Sequence, residues 1–252
     1  MSEQSSNANI NSFISHLIEL RDRLVRISVV VIIVFLGLMP FAAQIFDLLA
    51  APMMHALPAG AHMIATGVIT PFLIPVKITL VLALLISLPW VLYQIWAFVA
   101  PGLYAHEKKL VAPLVIASSA LFIAGVAFCY FFVFRVVFSF VNQFAPKSIS
   151  VAPDIESYLD FVLTMFLAFG VTFEVPIIVI VLVRMGFVTV EKLKAIRPYV
   201  IVGAFVVAAI VTPPDVTSQL LLAVPMCLLY EIGLLVAPWF KKATAAPVEN
   251  NS

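Results

Sequence analysis

Residues 161–183 read FVLTMFLAFGVTFEVPIIVIVLV, an apolar run carrying a single charge, Glu174. A helix needs about 20 apolar residues to cross about 30 Å of hydrocarbon, so this stretch predicts a transmembrane helix. Working outward, the same reading applies along the chain. Ile27 to Phe46, Ile78 to Ala105, Leu110 to Phe134 and Pro198 to Pro214 are charge-free, and Val216 to Phe240 holds only Glu231. The expectation is an all-α polytopic membrane protein with six spans, at about 27–46, 78–100, 110–134, 161–183, 198–212 and 216–236. Together they make one membrane domain over 1–242. Composition agrees. Of 252 residues, 63% are hydrophobic and 11% charged, whereas a soluble domain runs at about 25% charged. So few charges cannot form a polar skin, which excludes a soluble monomer and a disordered chain.

Between the first two spans, 47–76 holds Pro52, Pro58, Pro71 and Pro75 with Gly60 and Gly67. Such punctuation predicts a loop with short helices rather than a further span. The first apolar run is of spanning length and more follow it, so no cleaved signal peptide is expected. Residues 1–11 and 243–252 are polar and are expected to be disordered tails, the second of them cytoplasmic. The fifth span has about 15 residues, which reach roughly 22 Å as a helix. The last two spans are thus short, and either they are sheltered by other helices or the bilayer thins around them.

Lysine and arginine placement predicts orientation. With the N-terminus inside, eleven of the fourteen basic residues fall on the cytoplasmic side: Arg21, Arg23, Arg26, Lys108, Lys109, Arg184, Lys192, Lys194, Arg197, Lys241 and Lys242. Lys77, Arg135 and Lys147 fall outside. Both termini are therefore expected in the cytoplasm. The net charge of +1 argues against a nucleic-acid binder. Cys129 and Cys227 lie in separate apolar runs and read as inert thiols. His55 and His62 lack a nearby cysteine or acidic cluster, so no metal site is expected. There is no phosphate-binding glycine loop, serine elbow or zinc-protease pair, and no cofactor or enzymatic activity is expected.

The chemistry therefore rests on a few polar side chains. Ser12–Arg26 predicts an amphipathic helix before the first span, with Phe13, Ile14, Leu17, Ile18, Leu20 and Leu24 on one face. Glu19 and Arg23 stand at i,i+4 and suit a simple helix pair. Arg21 falls amid the apolar face, where it snorkels to headgroups or meets a partner. Trp96 and Tyr104 suit an interfacial aromatic belt. Glu107 has local partners in His106, Lys108 and Lys109. Glu174 is the most informative residue. A charge near mid-membrane costs at least about 2.5–3.5 kcal/mol, which marks a functional position unless the acid is protonated or bonded to a neighbouring helix. Pro176 just after it predicts a kink. Glu231 lies near the cytoplasmic end of its span, where it can snorkel.

The run His16-Leu17-Ile18-Glu19-Leu20-Arg21-Asp22-Arg23-Leu24 resembles the opening signature of the TatC family, the core subunits of the twin-arginine protein translocase. Further similarities follow in order: Ala51-Pro52, Pro71-Phe72, Gln94 through Tyr104, His106-Glu107, Phe169 through Pro176, Arg197-Pro198-Tyr199, and Thr212-Pro213-Pro214-Asp215 with Gln219. They span nearly the whole chain. Ala105 departs from a pattern that carries a basic residue there. The resemblance implies a six-helix protein of the bacterial cytoplasmic membrane. It implies recognition of Arg-Arg signal peptides on folded cargo, single-span partners TatA and TatB, a lipid setting, an oligomeric assembly and the proton-motive force as energy source. It maps the signal site onto Glu19 and Glu107, with Leu20, Arg21 and Phe98 close by. It maps a contact for partner helices onto Glu174, and outer-face functional positions onto Pro52, Asp215 and Gln219. The residues agree with it, since an arginine pair calls for carboxylates able to accept bidentate hydrogen bonds. The competing class, a small transporter using Glu174 as an ion site, predicts a repeat between halves. None is evident. A third class, an intramembrane enzyme, lacks any catalytic constellation.

Overall fold

The computed structural model describes residues 2–56, 63–99, 111–144, 153–212 and 215–240. Among them the chain is helical, and the sole β pairing is one parallel bridge between Ile64 and Asp154. Helix α1 (Ser2–Leu38) joins the amphipathic segment to the first apolar run without a break. The irregular tail expected over 1–11 is corrected from Ser2 onward. No proline or glycine precedes Gly37, so nothing in the backbone stops the helix from propagating. Pro40 lies in a 3-10 turn, Met39–Phe41, and α2 (Ala42–Ala56) follows. Over 47–76, where a loop with short helices is expected, the described residues hold two helical pieces, one ending at Ala56 with Pro52 inside α2 and one starting at Thr70. Pro71 sits at the start of the next helix, α3 (Thr70–Ile86), where it has no helical N–H bond to lose.

The stretch that includes the expected span 78–100 is bent: it consists of α3 (Thr70–Ile86) and α4 (Leu88–Val99), at 55° to each other across Ser87. Pro89 is the cause, because it has no N–H to offer the preceding turn and its ring crowds that turn's carbonyl. The Ser87 N–H closes on the Ala83 carbonyl at 2.9 Å, and Val91 resumes the ladder on the Ser87 carbonyl at 3.0 Å.

The next stretch runs through α5 (Val111–Phe128), a π turn (Cys129–Val133) and α6 (Phe134–Phe144). It continues past the expected end at 134 and carries an exposed Arg135. Then come α7 (Ile155–Arg184), α8 (Val190–Ala195), α9 (Arg197–Val211) and α10 (Val216–Val236), closed by a 3-10 turn, Ala237–Phe240. Pro176 lies inside α7, which continues through it from Ile155 to Arg184. Among the described residues, four helical stretches are long and apolar enough to cross a membrane: Ile14–Ala51, Val111–Phe140, Ile155–Arg184 and Val216–Phe240. The bent α3–α4 pair makes a fifth if its two halves count as one span, and α9 is apolar but has 15 residues. The expected tail at 243–252 lies outside the described residues.

α7 is the hub, packed against α5 on one side and α10 on the other. It begins where the Asp154 carboxylate accepts from the Ser157 backbone N–H (3.0 Å), a side-chain N-cap. Its buried residues Met165, Phe166 and Phe169 meet Cys129, Val133, Phe134 and Phe138 from the third stretch. Phe134 lies 5.4 Å from Phe166 and 5.9 Å from Phe161, ring centre to ring centre. Glycines allow the closest approaches. A Cβ at Gly125 would stand 2.6 Å from the Phe169 carbonyl oxygen, and one at Gly233 3.0 Å from Pro176 Cα. At the Asp154 end, Tyr130 and Tyr158 donate to the Leu48 and Leu49 carbonyls of α2 (3.1 and 2.9 Å). Asp154 accepts from the Thr66 hydroxyl (2.9 Å), Glu156 accepts from Thr70 (3.1 Å), and Lys77 pairs with Asp160.

Two outcomes follow from this packing. Gly125→Ala should destabilise the protein by about 1–3 kcal/mol, because the atom it strikes is backbone and cannot swing away. Gly203→Ala, with nothing within 4 Å, should be neutral or stabilising by about 0.5–1 kcal/mol. Thermal unfolding in detergent compares them. Hydrogen bonds from the Ser157 backbone, then the Thr66 side chain, hold the Asp154 carboxyl below the usual carboxylate range. A folded-state value below the unfolded one stabilises above the unfolded pKa of about 3.9 and fades as pH falls through the folded value. The melting temperature of wild type should therefore exceed that of Asp154→Asn at neutral pH, and the gap should close on acidification below about pH 4. A gap that ignores pH would contradict the assignment.

Candidate functional site

Arg23 ties the amino-terminal helix to α4. Its Nε and Nη2 both donate to Glu19 Oε1, at 3.0 and 2.6 Å. Its Nη1 donates to Gln94 Oε1 and its Nη2 to the Ala97 carbonyl, each at 3.1 Å. The expected i,i+4 pair is present, yet Arg23 is also the joint between the helices. Gln94 is 2% exposed, so its amide oxygen has little but Arg23 to satisfy it. Two turns before Arg23, the His16 ring stacks on Phe98 with centres 4.3 Å apart. His16 Nδ1 lies 4.0 Å from Glu19 Oε2, beyond hydrogen-bond reach. Glu19 thus has one oxygen engaged by Arg23 and one without a hydrogen bond among the described residues, with its side chain about a third exposed.

The structure brings Glu19 and Phe98 together through His16. Leu20 and Arg21 are placed otherwise. The Arg21 guanidinium is exposed and donates to Asp22 Oδ1 from Nε (3.0 Å) and Nη2 (2.7 Å). Arg21 lines an open groove of about 420 Å³ along α1 with Leu17, Leu20 and Leu24. Glu107 lies outside the described residues. Sequence reasoning missed Arg23 as a bridging group. Its signal was Gln94, a lone amide in an apolar run, which asks for a polar partner.

Further into the helices, Trp96 corrects the expected aromatic belt. It is buried, and its Nε1 donates to Ser118 Oγ at 3.0 Å. Glu174 on α7 is buried at 7% exposure. The Ser118 hydroxyl is close enough to act on it electrostatically. Neither carboxylate oxygen has a partner with hydrogen-bond geometry among the described residues. The α10 end is held differently. Asp215 caps that helix, accepting from Ser218 N–H at 2.7 Å. Gln219 Nε2 donates to the Phe205 carbonyl of α9 at 3.2 Å. Arg197 pairs with Glu231 at 2.6 Å, so Glu231 has a partner in the chain rather than only headgroups. Pro52 lies within α2, and Pro213-Pro214 lie outside the described residues.

Residues 15–225 match the family model of the Sec-independent protein translocase protein TatC. Two curated relatives carry that same description. One from Haemophilus influenzae is 53% identical over 239 residues, covering 94% of this chain and 93% of the relative. One from Escherichia coli K12 is 51% identical over 227 residues, covering 90% and 88%. Among solved structures, a crystal structure of the twin arginine translocase receptor TatC superposes with a TM-score of 0.80 at 37% identity, covering 89% of this chain and 99% of that one. A second crystal structure of that receptor, in DDM, gives 0.78 at 36% identity.

The unmet carboxylate of Glu174 predicts a graded stability series. Glu174→Gln keeps the volume and removes any cost of desolvating a charge. Its unfolding in detergent should stay within about 1 kcal/mol of wild type or improve on it. A marked loss in the Gln variant would mean that the charge itself holds the helices together.

Proposed function

This chain belongs to the TatC family, and from that premise we propose that Glu19 and Glu107 each receive one arginine of an Arg-Arg signal peptide. The protein is the signal-peptide-recognising subunit of the twin-arginine translocase, a multi-pass protein of the bacterial inner membrane and not an enzyme. The observation that carries the site is the state of Glu19: a carboxylate on the part of α1 ahead of the first apolar run, whose second oxygen has no hydrogen bond among the described residues. A guanidinium presents a planar fork that matches a carboxylate, whereas an ammonium is a point charge. Leu20, Arg21 and Phe98 flank this half-site. His16 on Phe98 supports that placement by making a flat wall beside Glu19.

The finer arrangement is part of the same reading. Six spans, with both termini in the cytoplasm, follow if the bent α3–α4 pair is one span and the 15-residue α9 another. The eleven basic residues of the expected cytoplasmic segments support that orientation. TatA and TatB are the partners, the proton-motive force drives transport, and folded proteins are the cargo. Glu174 meets a polar residue of a partner span, which its unsatisfied oxygens favour. Pro52, Asp215 and Gln219 serve the outer face.

A titration of a fluorescent Arg-Arg signal peptide against the detergent-solubilised protein tests the central claim. Glu19→Ala and Glu107→Ala should each weaken binding by about 2 kcal/mol, the low end for a charge contact that headgroups and water partly screen. A Lys-Lys peptide should bind wild type poorly at equal net charge, and affinity should fall with salt. Either variant binding both peptides as wild type does would remove that residue from the site.

A further inference from the structure

The Glu19 half-site already contains an arginine. Arg23 places two donors on Glu19 Oε1, the arrangement an incoming guanidinium would need for itself. We propose that Arg23 is a built-in competitor. It occupies the Glu19 carboxylate before a signal arrives, and a signal arginine gains a two-oxygen grip only by displacing it. This inference rests on Glu19 being a signal contact.

Three features decide the sign of the effect. Arg23 neutralises Glu19, so a free cation meets a carboxylate whose charge is already matched at 2.6 Å. With Oε1 taken, a newcomer can reach only Oε2, which gives one hydrogen bond where a fork could make two. Arg23 also loses little when displaced. Its side chain is 18% exposed and keeps the Gln94 amide and the Ala97 carbonyl as acceptors. It can therefore let go of Glu19 without being left unsatisfied, and return when the signal leaves. Against this stands preorganisation, since Arg23 also steadies the Glu19 rotamer. The steadying serves one flexible side chain, whereas competition removes both a hydrogen bond and a charge. Competition wins.

The test uses full-length protein in detergent and a synthetic peptide with an Arg-Arg pair ahead of an apolar segment, alongside its Lys-Lys counterpart. Arg23→Gln removes the charge and keeps a polar side chain able to reach Gln94. It should bind the Arg-Arg peptide about fivefold tighter, the upper end of what a partly exposed pair withholds. The gain for the Lys-Lys peptide should be smaller, because an ammonium cannot use the freed second oxygen. In a Glu19→Ala background Arg23→Gln should give no gain. A merely structural Arg23 would lower affinity for both peptides alike, whether or not Glu19 is present. Unchanged or weaker binding by Arg23→Gln overturns the proposal, and so does a gain that survives Glu19→Ala. If Glu19→Ala alone binds as wild type does, the Glu19 half-site itself fails and this inference falls with it. Should Arg23→Gln not fold, Arg23→Lys decides. It loses the fork and keeps the charge, so an about twofold gain is expected, and none would overturn the idea.

Discussion

Hydrocarbon offers no hydrogen-bond partner, and this one constraint shapes the whole molecule. A backbone group left open in a bilayer costs several kcal/mol, so each crossing segment must satisfy its own ladder. The chain meets the demand with helices, and prolines then set where they bend. Pro89 breaks the ladder between α3 and α4, and the adjoining carbonyls are recovered through Ser87 and Val91. Pro176 sits within α7 without ending it, buried where α10 comes close at Gly233. Polar side chains follow the same logic. Trp96 finds Ser118, Gln94 finds Arg23, and Gln219 finds the Phe205 carbonyl on α9. Glu174 stands out as a buried acid neither of whose oxygens finds such a bond among the described residues.

Packing then divides the labour between helices. α7 is the most buried of the spans, and the apolar window of α1 has no buried residue. Lipid tails are as apolar as leucine, so close contact rather than water exclusion holds membrane helices together. That places weight on the glycine contacts between α5 and α7 and on the aromatic layer around Phe134. α1 has few such contacts, and Arg23 is its polar tether to the rest.

Much of this was legible in the sequence. Apolar runs of spanning length declared a helical membrane protein, and a lone acid among them singled out Glu174. The Glu19–Arg23 pair was readable because helical spacing alone brings i and i+4 together. The Arg23–Gln94 contact was not, since the partners lie 71 residues apart and meet only once α1 rests on α4. The bend at Ser87 was missed because Pro89 sits in an unbroken apolar run and charge gaps do not register it. Trp96 was misread for a related reason. An indole near a span end suits a headgroup belt, and only the position of Ser118 on a neighbouring helix shows that its N–H is satisfied inside. The helical start of α1 was lost behind a polar composition that says little about backbone.

The π turn at Cys129–Val133 carries a consequence for how this stretch tolerates change in length. A π turn holds one residue more than an α turn of the same reach. Deleting a single residue there would let the ladder close as ordinary α-helix, because the turn covers the same rotation with one residue fewer. Side chains beyond it would keep nearly the same phase. Phe134, Val137 and Phe138, which pack with the α7 aromatics, would stay on that face. The same deletion within α5 or α6 would rotate everything downstream by about 100°. The wide turn is thus the place between two halves of one rod where a one-residue change in length can be absorbed.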